Sequence, residues 1–316
     1  MILKAICVTL SNCLTVRHSN FMKYLSLFTY QFSLTKKAQI TKNKTCYGGP
    51  MKMRKIPFAA FYIFLCLHLL AMTSQASHVV EETARSDYFF LPAGSVNVSS
   101  ITERDYLEMI WDFQAQFQTA VYSKTRKAVI FSNDWQSPYF GASALRHDAY
   151  FQVSLLAGTV RVPEFNKAMM AAVLCHELGH ILGGEPLQTV PLSEWASTEG
   201  QSDFYAARDC LPKFFQRHPE MMNLSAVDSK IKKRCKGNES CERTAQVGWE
   251  LINVFQKYSF KTFKPVSLIE HEKPTLELIR NSYPSDQCRV DTYLQGALCQ
   301  LGRSCDAPAC WAPPKQ

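Results

Sequence analysis

The longest apolar stretch outside the amino-terminal region runs from Met169 to Leu182 (MMAAVLCHELGHIL), with only His176, Glu177, Gly179 and His180 breaking it. A surface helix alternates apolar and polar faces, so a segment that is apolar nearly all round predicts a buried helix. Pro163 is placed to open this helix, and Gly183 with Gly184 supplies a natural stop. Gly179 inside it costs roughly 1 kcal/mol relative to alanine, which predicts close approach of another backbone at that point.

Other periodicities fill in the frame. Thr102 caps a helical pattern with Tyr106, Ile110, Phe113 and Phe117 on one face, reaching about Tyr122. Ala128 to Phe131 reads as a short strand, with Asn133, Asp134 and Pro138 marking the turn after it. Ala149 to Val160 (AYFQVSLLAGTV) reads as a strand and turn. Beyond the apolar helix, Ser193 or Ser197 is available to cap a helix through Glu199 to about Cys210, and Pro212 is expected to end it. Glu242 to Phe255, Pro274 to Ile279 and Arg289 to Leu301 suggest three more helices, and the Pro-rich tail from Asp306 to Gln316 reads as irregular. The expected class is α+β, mostly helical, with a small sheet beside the buried helix.

The amino-terminal part changes how charge is counted. Residues Ile56 to Thr73 form an apolar run preceded by Lys52, Arg54 and Lys55 and followed by Ser74, Gln75 and Ala76, the layout of a secretory signal cleaved after Ala76. The expected organisation is therefore residues 1–50 as an upstream extension or atypical leader, 51–76 as signal peptide and 77–316 as one domain with a cysteine-rich carboxy-terminal part. An uncleaved membrane anchor is the other reading of the run, although His68 interrupts it and it is short for a span. Ten Lys and Arg and no Asp or Glu precede Ile56, so the formal charge of +8 falls to about −2 in the remainder, with 25 basic against 27 acidic residues. The case for nucleic acid as a partner dissolves with that segment, and no stable membrane span is expected after cleavage.

Eight of the twelve cysteines follow the signal: Cys175, Cys210, Cys235, Cys241, Cys288, Cys299, Cys305 and Cys310. An even count behind a secretion signal reads as disulfides in an oxidising compartment, so the protein is expected to be secreted or periplasmic. Only Cys235 to Cys241 suggests itself as a local pair. Cys175 precedes His176 on the buried helix and so points away from it, either bridged to a packed neighbour or a small core residue. Asn97, Asn223 and Asn238 begin glycosylation sequons.

Candidate chemistry concentrates on the buried helix. His176 and His180 are four residues apart, one turn, so two imidazoles can grip one ion while Glu177 lies beside it without ligating. Left without partners in a buried helix, each of these three groups would cost on the order of 1 to 3 kcal/mol, and a metal with its water would satisfy all of them. Core histidines bonded to backbone carbonyls are the plainer alternative. Nineteen residues after His180 comes Glu199, a third ligand, with Asp203 one turn on and able to take the outer N–H of a ligand histidine.

His176 to His180 followed by Glu199 to Asp203 resembles the gluzincin metallopeptidases, most closely an M48-type peptidase, over roughly Tyr150 to Cys210. The resemblance implies a zincin-like domain holding one Zn2+ per chain through His176, His180 and Glu199, with Glu177 as catalytic base and Asp203 behind the ligands. It also implies a polypeptide substrate bound as an extended strand along an edge strand, for which Phe151 to Leu156 is the candidate. M48 peptidases carry a His-Pro element followed by an arginine; this chain has Tyr283, Pro284 and then Arg289, so Tyr283 and Arg289 are the transition-state donors considered first, with Tyr205 and His271 behind them. The expected function is a zinc-dependent endopeptidase. The alternatives are a catalytically lapsed binding protein on the same scaffold and a metal-dependent hydrolase of something other than peptides.

Overall fold

A computed structural model describes residues 90–313 apart from 97, 222–225, 259–263 and 303–304. The expected leader, the signal segment and the sequons at Asn97 and Asn223 lie outside the described residues. Asn238 caps a helix, its side chain accepting from Cys241 N.

The architecture is α+β and mostly helical. Helix α1 (Glu103–Thr125) begins with a capping box in which the Thr102 side chain accepts from Asp105 N while Asp105 accepts from Thr102 N. Strands β1 (Ala128–Ser132), β2 (Ala142–Arg146) and β3 (Tyr150–Leu155) form one sheet in the order β1-β3-β2, with β1 parallel and β2 antiparallel to β3. The segment expected to be the edge strand is therefore central, paired on both sides. The edges are β1 and β2, the latter with Ala142 opposite Leu155 and Arg146 opposite Phe151.

After the single turn α2 (Ala157–Val160) comes α3 (Lys167–Leu182), which carries the two histidines. It starts four residues later than Pro163 suggested, because Asn166 caps it, accepting from Met169 N. Every residue from Ala168 to Leu182 is buried, since α1, the sheet and four later helical segments surround α3. Helix α4 (Glu199–Tyr205) is capped by Thr198 rather than Ser193 or Ser197. Ser197 is otherwise engaged, its hydroxyl donating to Gly184 O and its carbonyl accepting from His180.

Pro212 does not end this helix. A π-helical turn (Ala206–Cys210) follows α4, and Pro212 enters the first turn of α5 (Leu211–Arg217), where its missing N–H is least costly. Three longer-range helices complete the body: α6 (Ser229–Cys235), α7 (Glu239–Lys257) and α8 (Asp286–Leu298). The helix expected at Pro274–Ile279 is absent; instead Thr275 N donates to Ala309 O and Ile279 N to Trp311 O, tying that segment to the tail. The tail is irregular as expected but not loose, for Cys310 and Trp311 are buried.

Four disulfides join Cys175 to Cys210, Cys235 to Cys241, Cys288 to Cys310 and Cys299 to Cys305. The local pair is the one its spacing suggested, and Cys175 is bridged. Four such pairs suggest an oxidising compartment. Among the described residues no helix is long and apolar enough to cross a membrane.

Candidate metal centre

Two helices crossing at a glycine bring three donor groups together. A Cβ on Gly179 of α3 would lie 2.7 Å from both the Cα and the carbonyl oxygen of Ser202 on α4, so only glycine permits this approach. The crossing sets the first turn of α4 against His176 and His180. His176 Nε2 lies 3.1 Å and His180 Nε2 3.6 Å from Glu199 Oε2, and one ligand atom from each residue falls within 4.8 Å of the others. On the opposite face of α3, Cys175 and Cys210 staple the same two helical segments.

The outer ring nitrogens fix which atoms face the centre. His176 Nδ1 is 2.7 Å from Asp203 Oδ1, and His180 Nδ1 is 2.9 Å from Ser197 O and 3.0 Å from Ser202 Oγ. With a proton on each Nδ1, each Nε2 presents a lone pair inward, the arrangement that second partners impose on metal-ligating histidines. His176 Nε2 and Glu199 Oε2 are buried and face each other with no hydrogen-bond partner elsewhere. Buried polar atoms rarely go unsatisfied, and a cation between them would satisfy both. His176, His180 and Glu199 thus form a group able to hold a metal ion.

Charges around the centre reinforce one another. Burial pulls the His176 ring down, but Asp203 and Glu199 outweigh it and raise its pKa to about 10, so metal uptake must displace a proton there. Glu199 and Asp203 are held below the ordinary carboxylate range despite burial, Glu199 by the two histidines and Asp203 by Arg289 and His176. Glu177 is pushed up, mainly by burial, against the pull of His180 and His176.

Arg289 lines the cavity beside the centre and is engaged by Asp203. Its Nε lies 2.7 Å from Asp203 Oδ2 and an Nη 3.0 Å from Oδ1, a two-point grip that turns Asp203 toward His176. Tyr283 does stand at the centre: its ring lies nearly parallel to His176 at 6.4 Å, with the Arg289 guanidinium 4.9 Å from its centroid, and it is 60 % exposed at the rim. Tyr205 is a core residue beside Asp209, and His271 bonds Asp291 away from the centre. Tyr293, one turn beyond Arg289, was missed; it is fully buried and contributes to the same cavity.

That cavity holds about 260 Å³. His176, Glu177, Tyr283 and Arg289 line one side, Phe140, Val173, Leu251 and Phe255 the other, and Gly141 and Ala142 at the start of β2 border it. A larger hollow of about 770 Å³ lies around Lys264, Glu270, His271 and Glu272. Its groups bond one another or nearby residues, Glu270 to Lys264, Glu272 to Ser285 and His271 to Asp291, so size alone does not make it the site.

No protein-family model, curated protein or solved structure matches this chain. A functional reading therefore rests on the residues and their geometry.

Proposed function

We propose that this protein is a secreted or periplasmic zinc-dependent endopeptidase of the gluzincin kind, with a zincin-like domain. The observation that carries the reading is the convergence of His176, His180 and Glu199, with unpaired buried atoms on His176 and Glu199, beside the carboxylate of Glu177 in one cavity wall. Two imidazoles and one carboxylate suit zinc and leave a fourth position open.

Held by His176, His180 and Glu199, zinc would supply Lewis acidity, lowering the pKa of a water to about 7 and polarising a carbonyl oxygen. Glu177 accepts the proton of the attacking water and returns it to the leaving nitrogen as the peptide bond breaks. Its burial suits the first half of this task, because a raised pKa makes the carboxylate a stronger base. Asp203, gripped by Arg289, keeps the His176 proton on Nδ1 and the ring aimed inward. Tyr283 at the rim is the donor assigned to the developing oxyanion. An extended peptide would run beside β2, the sheet edge that borders the cavity, and an apolar side chain next to the scissile bond would meet Phe140, Leu251 and Phe255.

Glu177→Gln keeps the size of the side chain and removes the base. It should retain zinc while turnover of an unfolded protein substrate falls about 10²- to 10⁴-fold. Turnover near that of the wild type in a zinc-loaded Glu177→Gln protein would remove Glu177 from its assigned role.

A further inference from the structure

We infer that Trp311 is a positioning residue for the metal ligand Glu199, acting through Gly200; this rests on the metal reading above. Trp311 is fully buried although it follows an irregular segment rich in proline and alanine. Its indole packs on the backbone of Gly200, the residue directly after Glu199. A Cβ there would lie 2.4 Å from Trp311 Cδ2 and 2.7 Å from Cγ, so the ring occupies the space a side chain would need. The contact falls on the first turn of α4, which presents Glu199 to the histidines.

The indole is itself fixed from α8. Trp311 Nε1 donates to Thr292 Oγ1 at 3.1 Å, and Cys310 is bonded to Cys288, so both anchors lie within one turn of Arg289. The backbone is held as well, Ile279 N donating to Trp311 O and Trp311 N to Pro308 O. Phe204 of α4 completes the small apolar cluster with Cys288, Cys310 and Trp311.

Trp311 thus wedges between two helices whose relation the metal site depends on. Helix α4 carries Glu199 and Asp203, and α8 carries Arg289, which grips Asp203. The rest of α4 is tethered at its far end, where the π-helical turn reaches Cys210 and its bond to Cys175. The first turn has no covalent tether of its own; on one side Gln201 Nε2 donates to Gly183 O and Ser202 lies against Gly179, and the indole backs Gly200. A side chain that shifts this turn by a few tenths of an ångström moves Glu199 relative to the two histidines, which stand one turn apart on α3.

The test compares zinc affinity of the purified full-length secreted protein, by competition with a chromophoric chelator, for the wild type, Trp311→Phe, Trp311→Leu and Gly200→Ala, each checked for folding by its near-ultraviolet circular dichroism. Trp311→Leu and Gly200→Ala should weaken zinc about 10- to 100-fold, the range seen when residues supporting metal ligands are changed. Trp311→Phe, which keeps a ring against Gly200, should recover most of the loss. Combining Gly200→Ala with Trp311→Leu should bind more tightly than Gly200→Ala alone, because the smaller side chain makes room for the added methyl. Ile252→Ala, in the separate cluster between α6, α7 and α8, should lower Tm without changing the zinc constant. Equal zinc constants in wild type and folded Trp311→Leu, or an equal loss in Ile252→Ala, would overturn the inference while leaving the metal site standing. A wild type that takes up no zinc would overturn the metal reading, and the inference with it.

Discussion

The two sides of the candidate site are held by different means. The ligand side is regular: three donors stand on α3 and the first turn of α4, set by helical spacing, a glycine crossing and a disulfide behind it. The rim side is mixed: Leu251, Phe255 and Arg289 stand on α7 and α8, whereas Tyr283 comes from residues 264–285, which are tied to residues 305–313, and neither of these two segments contains a helix or strand. Those segments are held by individual bonds, Asn281 to Thr189, Arg280 to Leu187 O, Glu272 N to Asp291, and the Cys288–Cys310 bridge. The difference teaches where buried charge can be carried. Donors that must stay aligned without water sit on helices whose geometry is locked, while Tyr283 at the rim sits on chain that one or two bonds can reposition.

Breaking the ligand side should have the larger consequence. Asp203→Ala leaves Arg289 buried without its partner and frees the His176 ring, so stability should fall by about 3–5 kcal/mol and zinc affinity with it. Urea unfolding with and without zinc reads both; a loss below about 1 kcal/mol would mean the Arg289–Asp203 pair is not the brace described here. On the rim, Tyr283→Phe should leave zinc content and Tm close to wild type and reduce kcat about 10²- to 10³-fold, the effect of removing one oxyanion donor. An unchanged kcat would make Tyr283 a packing aromatic and not a donor.

The contrast also explains what could be read in advance. His176, Glu177 and His180 stand out because helical spacing alone places them, and Glu199 with Asp203 because the same spacing repeats. The grip of Arg289 on Asp203 bridges 86 residues, and no local pattern encodes it. Strand β2 reads ASALR, with none of the β-branched or aromatic residues that mark strands, and exists because β3 offers it an edge. Pro274–Ile279 has apolar residues at helical spacing, yet the N–H groups of Thr275 and Ile279 go to the tail. Trp311 gives no sign in a proline-rich tail that it is the indole behind Glu199.

The smallest effect is expected away from both regions. Bonds from Lys167 and Thr102 hold the Asp105 carboxyl down at about 2, against roughly 3.9 in an unfolded chain. A lowered folded value means that its contribution is fully present above about pH 4 and is lost as pH falls through about 2. The stability of Asp105→Asn should therefore fall less than wild type between pH 5 and pH 2, by no more than about 2 kcal/mol. Parallel acid limbs would show that Lys167 and Thr102 do not stabilise the carboxylate.

The central claim is that His176, His180 and Glu199 hold one metal ion, and elemental mass spectrometry on protein purified without added chelator tests it most directly. The account predicts about one zinc per chain in the wild type and its loss in His176→Ala and Glu199→Ala, both still folded. No metal after zinc-replete preparation, or zinc retained in both variants, would contradict it and leave α3 and α4 as a buried structural crossing.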